Sequence, residues 1–152
     1  MVGKAKRIDD AQARYIEYVK GTLDKDMSFD GIKVVIDSAH GAAYKVASLA
    51  LWELGAKVIS IGDRPNGKNI NHEYGSTSLG NLKKAVSNHK ADIGIALDGD
   101  ADRIIVIDEM GNIVDGDVLL AIIATEWKKL GKLKKNSVVA TILSNIGLES
   151  YF

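Results

Sequence analysis

The sequence predicts a three-layer α/β/α fold: a mostly parallel, mixed sheet with one antiparallel hairpin, covered by helices on both faces. Three observations predict it. Short β-branched runs alternate with helix-length amphipathic stretches, the pattern of parallel strands joined by right-handed crossovers. The chain, at 152 residues, is long enough to bury one core of its own. A Gly111-Asn112 pair between two apolar runs suits the tight turn of a hairpin.

Taken in order, Tyr15, Ile16, Val19 and Leu23 recur at three- and four-residue steps, which predicts a helix from Asp9 to Leu23 capped by Asp9 or Asp10. Ile32 to Ile36 is a β-branched strand. Ala43, Val46, Ala47, Ala50 and Leu54 then follow at helical spacing, with Gly55 in the stop position. Lys57 to Ile61 is a second strand. The stretch from Gly62 to Thr77 is polar, holds the sole proline, Pro65, and has no periodicity; a loop of that length is usually functional. Ser78 is placed to cap a helix carrying Leu79, Leu82, Ala85 and Val86, and Asp92 to Leu97 is the next strand. Ile104 to Asp108 and Ile113-Val114 flank the turn Glu109 to Asn112. Asp115 or Asp117 caps a helix from Val118 to about Leu130, stopped by Gly131, and Ser137 to Leu143 is expected as a last strand.

Composition excludes several classes of function. Twenty basic and twenty acidic side chains cancel, with no basic stripe of the kind that tracks nucleic acid. Lys128, Lys129, Lys132, Lys134 and Lys135 suit the solvated C-terminal end of a helix. No segment approaches the roughly 20 apolar residues that span a bilayer, and no apolar stretch follows the N-terminal lysines. A cytoplasmic protein without a nucleic-acid or membrane partner is expected. The sequence contains no cysteine, so a disulfide frame, a thiolate metal site and a cysteine nucleophile are excluded. There is no glycine-rich phosphate loop ending in Lys and Ser or Thr and no paired-histidine zinc motif.

Chemistry concentrates in the run from Ile95 to Ile107, where Asp98, Asp100 and Asp102 occupy every second position and Arg103 follows at once. Three neighbouring carboxylates repel one another unless a cation neutralises them, and Mg2+ or Ca2+ takes oxygen ligands of this kind. The cluster follows a strand, and ligands of such sheets gather at the carboxyl ends of strands. An EF-hand loop is a rival, because Asp98, Asp100, Asp102 and Glu109 fall on its positions one, three, five and twelve. Position six, however, is Arg103 instead of glycine, and the flanks are β-rich. A plain acidic turn is the remaining alternative. Arg103 suits a phosphate held beside the metal, through the planar fork of its guanidinium; its alternative is a salt bridge to one of the three aspartates. His40, after the strand that ends near Asp37, is placed either to line such a site or to serve the fold. His89 is expected as a helix-dipole partner, and none of His40, His72 and His89 makes a convincing catalytic base.

Asp98-Gly99-Asp100-Ala101-Asp102-Arg103 resembles the metal loop of the α-D-phosphohexomutase superfamily, whose second domain of four supplies three aspartates to Mg2+. The segments Gly3 to Ile8, Pro65 to Asn71, Asp115 to Asp117 and Ser144 to Glu149 are similar, in order and spacing, to its bacterial phosphoglucosamine mutase branch. The resemblance implies that Asp98, Asp100 and Asp102 bind Mg2+ and that Arg103 contacts a phosphate. It implies an enzyme that isomerises glucosamine 6-phosphate to glucosamine 1-phosphate through a phosphoserine and a bisphosphate, on the route to UDP-N-acetylglucosamine and the cell wall. The family's phosphoserine, sugar and phosphate-gripping loops belong to its first, third and fourth domains and have no match here. Residues 1–8 are then a linker from the first domain, 9–136 the metal-binding domain and 137–152 the start of the third, in a piece of a roughly threefold longer enzyme. The piece alone is expected to be inactive, meeting a phosphosugar only alongside domains I, III and IV. The resemblance leaves two alternatives: a phosphoglucomutase or phosphomannomutase domain, or a non-catalytic divalent-metal module. A stand-alone phosphatase with an aspartate nucleophile is a further one.

Overall fold

The computed structural model describes Gly3, Lys4 and residues 6–152; Met1, Val2 and Ala5 of the expected linker lie outside the described residues. The chain divides into two compact units, Met1–Asn112 and Ile113–Phe152.

The first unit holds helix α1 (Ala11–Lys20), strand β1 (Lys33–Asp37), helix α2 (Val46–Glu53), strand β2 (Lys57–Ile61), helix α3 (Gly80–His89) and strands β3 (Ile93–Leu97) and β4 (Ile104–Asp108). Its strands lie in the order β2-β1-β3-β4. β1 is parallel to both β2 and β3, while β3 and β4 run antiparallel. Antiparallel pairing thus begins one strand earlier than the Gly111-Asn112 turn alone predicts, and the acidic run is itself a hairpin connection.

Register assigns the two faces. Val35 lies beside Ile59 and Gly94, and Asp37 beside Ile61 and Ala96, while Ile105 and Ile107 pair with Ala96 and Gly94. On this face Val35, Ala96 and Ile107 pack with Leu82 and Val86 of α3 into the principal core cluster. A Cβ at Gly94 would stand 2.6 Å from Ile107 and 2.8 Å from Val86, so the bare glycine is what lets α3 sit this close. The opposite face carries Val34, Ile36 and Ser60, and Ser48 of α2 reaches it through a 3.1 Å hydrogen bond with Ser60. Helices therefore cover both faces, and β1, with partners on both edges, is buried from Val34 onward.

Helix starts depart from expectation in three places. Asp10 is the N-cap of α1, but its carboxylate accepts from Arg14 instead of a backbone N–H. Ser78 caps nothing; Leu79 holds the N-cap of α3 and offers no side-chain acceptor. α2 starts only at Val46, after a segment in which Ala42 N–H is committed to the Gly99 carbonyl of another loop.

The second unit holds the two-residue strand β5 (Ile113–Val114), helix α4 (Gly116–Lys129), a 3-10 turn (Lys134–Asn136) and helix α5 (Ile146–Tyr151). Asp115 caps α4 by accepting from the Asp117 N–H, and Lys128 and Lys129 occupy its last turn. The strand expected at Ser137–Leu143 does not form: these residues are irregular, with Val139, Ile142 and Leu143 at 93%, 100% and 90% exposure. A β-branched run becomes a strand only where a neighbour completes its hydrogen bonds, and no described strand lies beside this one. α5 was not foreseen, although Asn145, which caps it by accepting from Leu148 N–H at 3.2 Å, was a legible start signal. Among the described residues no helix is long and apolar enough to cross a membrane.

Candidate metal centre

β3 runs at Leu97 into the loop Asp98–Arg103, which turns back into β4. The turn closes with Asp98 N–H donating to the Arg103 carbonyl at 3.3 Å and Ala101 N–H donating to the Asp98 carbonyl at 3.1 Å. Ala101 adopts φ +61°, a left-handed conformation that costs an alanine about 1 kcal/mol. Helices do not flank this loop, which removes the EF-hand alternative.

The three aspartates converge. Asp98, Asp100 and Asp102 each present a carboxylate oxygen within 4.8 Å of the other two. Asp98 is buried, while Asp100 and Asp102 are exposed, so the cluster opens outward from an anchored base. Arg103 makes the anchor: its backbone N–H donates to Asp98 Oδ1 at 3.0 Å, and its Nε and Nη2 reach Oδ2 at 2.8 and 2.7 Å. Its Nε also lies 3.4 Å from Asp102. The salt bridge weighed for Arg103 is thus formed. A guanidinium has five N–H donors, so the edge turned away from Asp98 keeps donors for a further oxyanion.

Charge is distributed accordingly. Burial pushes the Asp98 carboxyl upward most strongly of any single influence, but the Arg103 backbone and guanidinium and the neighbouring Asp100 together hold it down at about 2. Asp100 is displaced upward, first by its hydrogen bond to Asp98 and then by repulsion from Asp102 and Asp98. A hard divalent cation would relieve that repulsion, and an all-carboxylate donor set is what such a cation takes, so these residues fit one.

Two further loops pack against this one. After β1, Ala39 and His40 are both left-handed, at φ +51°. The Asp37 carboxylate, fully buried, accepts from Ala39 N–H at 2.9 Å and from Gly75 N–H at 2.8 Å. Burial moves Asp37 upward, against these two hydrogen bonds. Ser38 is also buried, with a hydroxyl that has no partner among the described residues. Asn71 N–H donates to the Ala39 carbonyl at 2.8 Å, Ser76 N–H to the Leu97 carbonyl at 3.2 Å and Ala42 N–H to the Gly99 carbonyl at 2.8 Å. The Gly62–Thr77 loop is therefore a strut between the ends of β1 and β3, a role its composition did not disclose. His40 serves the same structure: Nδ1 accepts from Arg64 N–H at 3.1 Å, and the ring stands edge-on to Tyr74 at 4.8 Å. His72 is exposed, and His89 sits in the last turn of α3 as expected.

This arrangement has relatives. Residues 13–111 match the family model of phosphoglucomutase/phosphomannomutase, alpha/beta/alpha domain II. The chain belongs to that family. Within it, the chain is 59% identical over 150 residues to a phosphoglucosamine mutase of Bradyrhizobium sp. (strain ORS 278), covering 99% of this chain and 33% of the relative. It is 57% identical to the phosphoglucosamine mutase of Xanthobacter autotrophicus, covering 99% and 34%. The chain thus spans about a third of the length of the curated relatives it matches. Among solved structures, a phosphoglucomutase/phosphomannomutase family protein from Burkholderia thailandensis superposes with a TM-score of 0.67 at 25% identity, covering 79% of this chain and 26% of that one. An N-acetylglucosamine-phosphate mutase of the alpha-D-phosphohexomutase superfamily shares the fold, with a TM-score of 0.58 at 19% identity, covering 78% of this chain and 25% of that one.

Proposed function

We propose that this chain is the metal-binding domain of a phosphoglucosamine mutase, with Asp98, Asp100 and Asp102 holding one Mg2+ and Arg103 contacting a phosphate. The carrying observation is the convergence of three carboxylate oxygens within 4.8 Å at the end of a strand. The assignment to this mutase and not to a phosphomannomutase or phosphoglucomutase rests on the 57–59% identities to phosphoglucosamine mutases. A hard divalent cation is supported by the all-oxygen donor set, which among the described residues no nitrogen or sulfur joins, and the choice of Mg2+ follows from the resemblance to the phosphohexomutase metal loop.

When bound, the cation supplies Lewis-acid stabilisation of negative charge on a phosphoryl group in transfer. The chain's own residues hold that position. Arg103 fixes Asp98 as a buried, ionised base for the cluster, and Asp100 and Asp102 stand on the solvent side, where a phosphorylated partner approaches. The outer guanidinium edge then grips the phosphate beside the cation. The complete enzyme interconverts glucosamine 6-phosphate and glucosamine 1-phosphate by way of a phosphoserine and a bisphosphate. The phosphoserine, the sugar loop and the phosphate-gripping loop come from domains I, III and IV, so this chain alone turns nothing over. Residues 1–8 as linker, 9–136 as the metal-binding domain and 137–152 as the start of the next domain belong to the same proposal, as does a cytoplasmic location.

Titration calorimetry with Mg2+ tests it. The chain is expected to bind weakly, because an incoming phosphate completes the site, and Asp98→Asn, Asp100→Asn and Asp102→Asn each abolish the heat. Affinity at about micromolar or tighter without a phosphorylated partner would instead mark a self-sufficient binding module. Heat that survives all three substitutions refutes the site.

A further inference from the structure

We propose that Gly41, in the loop after β1, is a positioning residue for the metal loop: its bare backbone fixes the Gly99 peptide that carries Asp100. The inference rests on the metal-site reading above and adds to it a residue that touches neither cation nor phosphate.

Of the three aspartates, Asp98 is pinned by Arg103 and Asp102 lies beside Arg103. Asp100 stands at the exposed apex, where its direction follows from the Gly99–Asp100 peptide. That peptide is held from outside the loop by Ala42 N–H, which donates to the Gly99 carbonyl at 2.8 Å. A Cβ at position 41 would stand 2.2 Å from the Gly99 carbonyl oxygen, 2.6 Å from its Cα and 2.7 Å from its carbonyl carbon. All three atoms are backbone, so a side-chain rotation cannot relieve the clash. On its other side Gly99 is equally tight: a Cβ there would meet Ile70 at 2.6 Å and the Asn71 side-chain amide at 2.8 Å. Neither Gly41 nor Gly99 is among the positive-φ glycines. Glycine is required at both positions for space and not for backbone conformation. The 98–103 loop is thus clamped between the loops that follow β1 and β2, and Asp100 can meet its two partners only while Gly41 admits the contact.

The test is a Mn2+ titration of the whole 152-residue chain, followed by paramagnetic resonance of free Mn2+, together with amide chemical shifts of Asp100, Ala101 and Asp102. Gly41→Ala is expected to weaken Mn2+ binding about 10- to 100-fold, the range for residues that orient ligands. It is expected to move those three amides while hydrogen-exchange protection of β1 and β3 persists. Gly80→Ala is the control, since a Cβ there meets open space, and it should change neither readout. Gly99→Ala should weaken binding as well and recover when combined with Ile70→Ala, because its obstruction includes a side chain; Gly41→Ala should not recover with Ile70→Ala. Unchanged affinity and unmoved amides in Gly41→Ala overturn the proposal, as does a loss of affinity accompanied by loss of protection throughout the sheet. If the unmodified chain takes up no Mn2+, the metal reading falls by itself. The amide shifts then still decide whether Gly41 sets the loop.

Discussion

Asp98 is a carboxylate kept ionised in a buried place chiefly by Arg103, with Asp100 assisting, and the consequences can be worked through in sign. Its pKa in the folded chain is about 2, below the ordinary 3.8. Such a group contributes stability that is fully present above the ordinary value and is lost as pH falls through the folded value. Arg103→Met removes the guanidinium but keeps the residue-103 backbone N–H and the neighbouring Asp100, so the Asp98 carboxyl should rise from about 2 and the stability it contributes should shrink. Between about pH 2 and the ordinary 3.8, the variant is expected to gain less stability with rising pH than the unmodified chain does. Carboxyl-carbon NMR titration of Asp98, with urea midpoints at several pH values, checks both halves. At this scale the sequence disclosed the cluster, because three carboxylates at alternate positions after a strand stand out by spacing and residue type, and the structure brings their oxygens within 4.8 Å. Asp37, Gly41 and Asn71 were not legible as parts of the site. Their contribution lies in contacts to residues far along the chain, which no local pattern encodes.

β3 shows how one element serves two demands. Its Gly94 lets α3 close on the sheet, and its C-terminal end launches the acidic loop. Gly94→Ala forces a methyl into the space held by Val86 and Ile107 and should destabilise the domain by about 1–3 kcal/mol, measured by urea denaturation. Helical spacing located every helix of the first unit, and short β-branched or apolar runs located its strands. The cap expected at Ser78 falls one residue later, at Leu79, and Asp10 caps α1 by position while its carboxylate serves Arg14, a choice of partner that sequence does not rank. Ser137 to Leu143 is the opposite case, a segment with strand composition and no strand. Composition states a preference for an extended, half-buried surface, and the neighbour that satisfies the preference has to come from elsewhere.

For the molecule as a whole, Val139, Ile142, Leu143 and Ile146 leave an apolar segment open to solvent in the second unit. Exposed apolar segments of strand composition promote association. Sedimentation velocity on the 152-residue chain is expected to show mass rising with concentration, and Ile142→Ser with Leu143→Ser should suppress the rise. A strictly monomeric unmodified chain would show that the segment is protected in solution.

The clamp around Gly99 also sets an order in time. It joins residues 39–42, 70–75 and 98–103, stretches distant in sequence, and contacts of that kind form late, after the loops between them have closed. Competence to hold a cation should therefore emerge at the end of refolding, after the sheet has registered. A cation that recognises only the finished clamp cannot nucleate the fold. It acts on the return journey, slowing unfolding while leaving the folding rate nearly untouched.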